Sequence, residues 1–242
     1  MRVACDNFCM KKTIVLCMMG LMGWSGFAIS FTDNFNRANT NGSGTNTLNT
    51  IEKNWVGEGA RRWDISGNKL VSNSGSGNFI YNIGLRTSNS TNDSSFTQTA
   101  YVAVNNSASS AFGGMVVNFD TNTNTGITFR FAGNGTVTFL RPNGTVIMSG
   151  TFSETIVPDR AYRMTIFSEA ANTYDLEIYD PVADTIVFSA IEVVNGGGSA
   201  SSDGFGGLYV NTLGVTCDDF SLANSENVVS SATLRLVTIV SQ

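Results

Sequence analysis

An all-β fold, two antiparallel sheets packed as a sandwich, is what this sequence predicts, and three observations carry it. The chain is rich in Gly, Asn, Ser and Thr, with 25 Gly and only 3 Pro in 242 residues. Short runs of alternating apolar residues recur along it, separated by turn residues. The two ends match: Asp33 stands two residues before Phe35, and Asp218 two before Phe220. A sandwich whose first and last strands are neighbours would bring these ends together and close one domain.

Residues 1–30 read as a secretory signal peptide. Met10-Lys11-Lys12 is a basic start, Thr13 to Met22 is apolar, and Ala28-Ile29-Ser30 is a small-x-small cleavage site. Residues 1–9 are then an upstream extension, and either Met1 or Met10 is the start. Cys17 does not fit a lipobox, because Leu16 stands where a small residue belongs. Removing residues 1–30 takes Cys5, Cys9 and Cys17 with it and leaves Cys217 alone, so no disulfide framework is expected. It also takes Arg2, Lys11, Lys12 and Asp6, leaving 11 basic and 18 acidic residues, a net charge of −7. That balance argues against nucleic acid and anionic membranes as partners. The chain has 0 His, which removes the commonest general base and transition-metal ligand. Chemistry would rest on carboxylates, hydroxyls or a hard cation.

The elements follow in order. Phe31 to Arg37 predicts an opening strand, Ala38 to Thr47 a polar loop, and Leu48 to Trp55 a short helical turn. Trp63 to Val71 predicts a hairpin about Gly67-Asn68, both able to take positive φ. Asn78 to Gly84 is a strand, and Thr87 to Ser95 a loop. Thr97 to Asn105 alternates, with Gln98, Ala100, Val102 and Val104 on one face. Phe112 to Phe119 is a strand before the polar loop Asp120 to Gly126. Ile127, Phe129 and Phe131 share a face opposite Thr128 and Arg130. Asn134-Gly135 and Asn143-Gly144 turn the chain through further strands. Tyr162, Met164 and Ile166, then Tyr174, Leu176 and Ile178, are inward sets of two long strands, and Thr185 to Val193 is a third. A Gly/Ser loop leads into a closing hairpin, Phe205 to Leu222. The sandwich is assigned to 31–223. The tail, 224–242, ends in an apolar stretch interrupted by Arg235. It is shorter than the about 20 residues a membrane helix needs, and reads as an edge strand or a sorting remnant.

The motifs Asp33-Asn-Phe-Asn-Arg37, Trp63-Asp-Ile, Gly114-Met-Val-Val-Asn-Phe-Asp-Thr-Asn122, Tyr162-Arg-Met-Thr-Ile166, Tyr174-Asp-Leu-Glu-Ile178 and Asp218-Asp-Phe-Ser-Leu222 resemble the concanavalin A-like (laminin G-like) jelly-roll superfamily. They are most similar to its secreted bacterial versions. The resemblance implies two antiparallel sheets, one of them concave. Many members bind glycans, some hold Ca²⁺, and some are glycosidases. Bacterial relatives often end in a Pro-Glu-Pro sorting tail, which this chain lacks.

Three constellations could carry chemistry. Asp175 and Glu177 share a strand face about 7 Å apart. Glycosidases of the superfamily place acids at i, i+2 and i+4, and the third position here is Tyr179, so a solvated face is the expectation. For calcium, Asp120, Asn122 and Asn124 set oxygen ligands at alternate positions before Gly126. Asp33 with Asp218 or Asp219 is the second candidate, since paired carboxylates repel unless a cation or donors lie between them. For sugar contact, Trp55, Arg61, Arg62, Trp63, Tyr81 and Tyr209 supply stacking rings and fixed donors. The reading is an extracellular or periplasmic, non-catalytic carbohydrate-binding or adhesion module with a glycan partner. A polysaccharide-active glycoside hydrolase of the same fold, or a matrix or envelope protein without a small ligand, stays open beside it.

Overall fold

The computed structural model describes residues 29–36, 55–57, 63–72, 78–86, 95–170, 172–196 and 204–225. In chain order the strands are β1 (Ile29–Asp33), β2 (Trp55–Gly57), β3 (Trp63–Ser66), β4 (Lys69–Ser72), β5 (Asn78–Arg86), β6 (Ser95–Ala103), β7 (Phe112–Asp120) and β8 (Thr125–Ala132). They continue as β9 (Thr136–Leu140), β10 (Val146–Thr151), β11 (Tyr162–Ala170), β12 (Thr173–Asp180), β13 (Thr185–Val194), β14 (Phe205–Val210) and β15 (Thr216–Ser225). Among the described residues no helix is long and apolar enough to cross a membrane.

The strands form two sheets. The eight-stranded sheet runs β13-β12-β11-β6-β15-β4-β3, with β1 also paired to β15. The seven-stranded sheet runs β10-β9-β8-β7-β14-β5-β2. Neighbours in both are antiparallel, which lets short turns make most connections. The turn dipeptides do what their residue types allow. Gly67 (φ 59°) and Asn68 (φ 61°) join β3 to β4, Gly135 (φ 84°) joins β8 to β9, and Gly144 (φ 81°) joins β9 to β10.

Period-2 alternation fills the core. Tyr162, Met164 and Ile166 from β11, and Tyr174, Leu176 and Ile178 from β12, pack toward Phe129, Phe131 and Phe139 of the opposite sheet. The rings meet edge to face: Phe139–Tyr174 at 5.2 Å and Phe131–Tyr162 at 5.7 Å between centroids. Two buried polar side chains also bridge the sheets. Gln98 of β6 donates through Nε2 to the carbonyls of Gly207 (2.9 Å) and Val116 (3.2 Å). Asn118 of β7 donates to the Tyr174 hydroxyl at 2.9 Å, and burial pushes that phenol up to about 12. Asn118 sits at a bulge with φ 52°, which turns it toward the core directly after inward-facing Val117 and swings Phe119 to the other face.

One expectation is corrected. Phe205 to Leu222 is not a hairpin: β14 belongs to the seven-stranded sheet and β15 to the eight-stranded one. The chain crosses between the sheets at 211–215. There Asn211 accepts the Phe112 N–H at 2.6 Å, and Gly214 (φ 83°) donates its N–H to Ser72 at 2.9 Å. The first strand begins at Ile29 and the last runs to Ser225. Residues 1–28, 38–54, 87–94 and 226–242 lie outside the described residues, and with them the loop expected over 38–47 and most of the helical turn expected over Leu48 to Trp55, of the loop over Thr87 to Ser95 and of the 224–242 tail.

Candidate functional site

The first and last strands meet as expected, and the meeting is structural. β1 pairs with β15 so that Asp33 stands opposite Phe220. The Asp33 carboxylate is 1% exposed. It accepts the Phe35 N–H on Oδ1 at 2.8 Å and the Trp55 indole N–H on Oδ2 at 2.8 Å. Phe31, Phe35 and Phe220 surround Trp55, with Phe220 at 4.9 Å in an edge-to-face contact. Trp55 is 0% exposed, so its ring offers no face to a sugar, and it opens strand β2 instead of ending the helical turn expected over Leu48 to Trp55. Trp63 is likewise a core residue at 5% exposure.

Beside this cluster, a cavity of about 280 Å³ is lined by Thr32, Asp33, Asn34, Asp219, Phe220 and Ser221. Burial first, then the charges of Asp219 and Asp33, push the Asp218 carboxyl up, against the pull of the Asp219 N–H and Lys69. The donor set fits a hard cation poorly. Asp33 already receives two N–H donors, and among the described residues no three His, Cys, Asp or Glu side chains are grouped to hold a metal. The Asp120 loop behaves similarly. Asp120 Oδ1 accepts the N–H of Asn122 at 2.8 Å and of Thr123 at 3.4 Å, an Asx turn that shapes the β7–β8 connection, with Asn124 at φ 52°. No binding step is therefore routed through calcium. Cys217 is buried, and burial raises its thiol out of nucleophilic range.

The paired acids of β12 lie on the outer face of the eight-stranded sheet and are engaged with neighbours. Glu177 pairs with Arg163 at 3.3 Å, and Asp175 accepts the Glu192 N–H at 2.8 Å. Arg163 also lies over the Tyr179 ring at 4.6 Å. This is a cross-strand network.

The outward face of the seven-stranded sheet gathers a different set. Register places Tyr209, Gly114, Arg130 and Thr138 in one row across β14, β7, β8 and β9. Gly114 leaves a gap in that row. A Cβ there would run into the Phe129 carbonyl oxygen and the Arg130 backbone. The Arg130 side chain crosses the gap: Nη1 donates to the Tyr209 hydroxyl at 3.1 Å, and Nε to Thr138 Oγ1 at 3.1 Å. The Phe112 ring covers one face of the guanidinium, with Cζ 4.1 Å from its centroid. Further along the face, Val116, Phe119 and Phe205 form a separate buried cluster. Phe112, Arg130 and Thr138 at the other end are only part-buried.

Of the six residues expected at a sugar site, this row contains Tyr209, which is 9% exposed. Tyr81 pairs in register with Gly207 and Val56, two residues along the strands. Arg61 and Arg62 lie outside the described residues. Sequence reading did not single out Phe112, Arg130 or Thr138. The alternation put Arg130 opposite the core Phe residues, but its hydrogen bond to Tyr209 spans 79 positions, and no local pattern reports that.

No protein-family model matches the chain, and no curated protein matches it in sequence. Solved structures do match. The carbohydrate-binding module CBM66 from Bacillus subtilis superposes with TM-score 0.51 at 17% identity, covering 70% of this chain and 95% of its own. Arcelin-5, a lectin-like defense protein from Phaseolus vulgaris, gives 0.57 at 11% identity, with 82% and 98% covered. A lectin from Bauhinia forficata, solved in complex with GalNAc, gives 0.56 at 9% identity, with 83% and 100% covered. At these identities the likeness is one of fold: the chain is an all-β jelly-roll sandwich of the lectin-like kind.

Proposed function

We propose that this protein is a non-catalytic carbohydrate-binding module that works outside the cell or at its surface. The observation that carries the reading is the Phe112–Arg130–Tyr209–Thr138 cluster on a part-open sheet face. Aromatic rings, hydroxyls and a rigid guanidinium are the groups that hold pyranose rings and their hydroxyls. The fold shared with a carbohydrate-binding module and two lectin-type proteins supports the same reading by analogy of architecture. Against hydrolysis stands the engagement of Asp175 and Glu177 with Glu192 and Arg163, away from this cluster.

A glycan array of the whole chain tests the reading, repeated with Phe112→Ala. Retention of at least one glycan, weakened about tenfold or more in the variant, is expected, which corresponds to losing about one ring stack of 1.4 kcal/mol. Release of reducing sugar from the retained polymer would replace it with the hydrolase reading. No retention at all would replace it with a matrix or envelope protein.

A further inference from the structure

A half-buried guanidinium in a folded protein is ordinarily matched by a carboxylate, because its charge is costly to desolvate alone. Arg160 follows that rule, with Asp180 at 2.7 Å, and Arg163 follows it with Glu177. Arg130 does not. Its hydrogen-bond partners are the two neutral hydroxyls of Tyr209 and Thr138, its stacking partners are the Phe112 and Tyr209 rings, and among the described residues it has no acid. Among the described residues its Nη2 makes no hydrogen bond, and the Arg130 side chain is only part-buried.

The held orientation is specific. Nε and one Nη1 hydrogen are committed, Phe112 lies against the plane, and Gly114 keeps the path under the side chain clear. What stays available is one Nη1 hydrogen and both Nη2 hydrogens. Two such donors can meet the two oxygens of a carboxylate, in charge-assisted bonds about twice as strong as neutral ones. We infer that Arg130 recognises a sugar carboxylate, so that the ligand is a uronate-type acidic glycan, with Phe112 and Tyr209 flanking the ring that bears it. This rests on the carbohydrate-binding reading above and narrows it. The net charge of −5 means that bulk attraction of polyanions contributes nothing here. Recognition is by contact at one guanidinium, and it distinguishes an acid from its neutral ester.

The test is affinity electrophoresis of the whole chain in gels containing polygalacturonate, alginate or hyaluronan. Each runs beside its methyl-esterified form, a neutral galactan and a sulfated polymer. Retention by at least one carboxylated polymer, tenfold or more weaker on its ester, is expected. Arg130→Lys, which keeps the charge and removes the fork, and Arg130→Gln should each cut that retention tenfold or more. Urea melts show whether the variants stay folded. Tyr209→Phe, which removes only the hydroxyl that steadies Nη1, serves as the milder second variant and should weaken retention severalfold. Equal retention of acid and ester, retention of neutral glycans only, or Arg130 and Tyr209 variants that bind as wild type while folded would each overturn the carboxylate inference and leave a carbohydrate-binding module. Preference for the sulfated polymer over every carboxylated one would overturn it too. Retention of no glycan would overturn both readings.

Discussion

Asp218 is the side chain that most clearly pulls against the fold. It sits at the bulge in β15 before Asp219, whose φ is 44°, and its carboxyl is pushed up by burial and by the Asp219 and Asp33 charges. A folded value above the unfolded one means that stability is full while the group is protonated, and is lost as pH rises through the carboxylate range. Asp218→Asn should therefore raise the Tm at pH 7 by about 1–2 °C, discounted for the group's part exposure, and the gain should vanish below about pH 4. The same melts in Ca²⁺ and in EDTA should superimpose. A Ca²⁺-dependent rise in Tm that the variant abolishes would instead place a cation at this carboxylate. Asp33 and Asp218 stand out in the sequence as a matched pair, but their unlike roles do not. Asp33 is surrounded by N–H donors and Asp218 by charge, and those donors come from Trp55 and from the turn at Phe35.

At the scale of strands, the row Tyr209–Gly114–Arg130–Thr138 depends on its one missing side chain. Gly114→Ala sets a methyl group against the Phe129 carbonyl and the Arg130 backbone, neither of which can move without disturbing the β7–β8 ladder. A cost of about 1–3 kcal/mol in urea unfolding is expected, together with loss of the Arg130–Tyr209 bond and of glycan retention. Unchanged stability and retention would show that the row tolerates a filled gap. Strand positions were largely legible beforehand, because alternation and the Gly67-Asn68, Asn134-Gly135 and Asn143-Gly144 turns are local signals. The purpose of Gly114 was not legible. A glycine inside a strand signals close approach without naming what approaches, and here that is the backbone of the next strand at Phe129 and Arg130.

For the molecule as a whole, closure runs through Asp33, which sits in the eight-stranded sheet and bonds an indole from the seven-stranded one. Asp33→Asn presents an amide N–H₂ to one of two buried N–H donors. It should cost about 3 kcal/mol of unfolding free energy with the urea m-value unchanged. A loss below about 1 kcal/mol would mean that the aromatic packing of Phe31, Phe35, Trp55 and Phe220 closes the domain without it. By itself the sequence determined the all-β class, the hairpin turns, the inward faces of β11 and β12 and the pairing of first strand with last. Each of these is written in residues close together or in a matched pair of motifs. Only the tertiary structure decided that β14 and β15 part into different sheets, that Trp55 is core, and that Arg130 meets Tyr209 and Phe112. β14 is buried on both faces and so carries no alternation to mark its sheet, and the Arg130 contacts join strands whose adjacency arises only once both sheets have assembled.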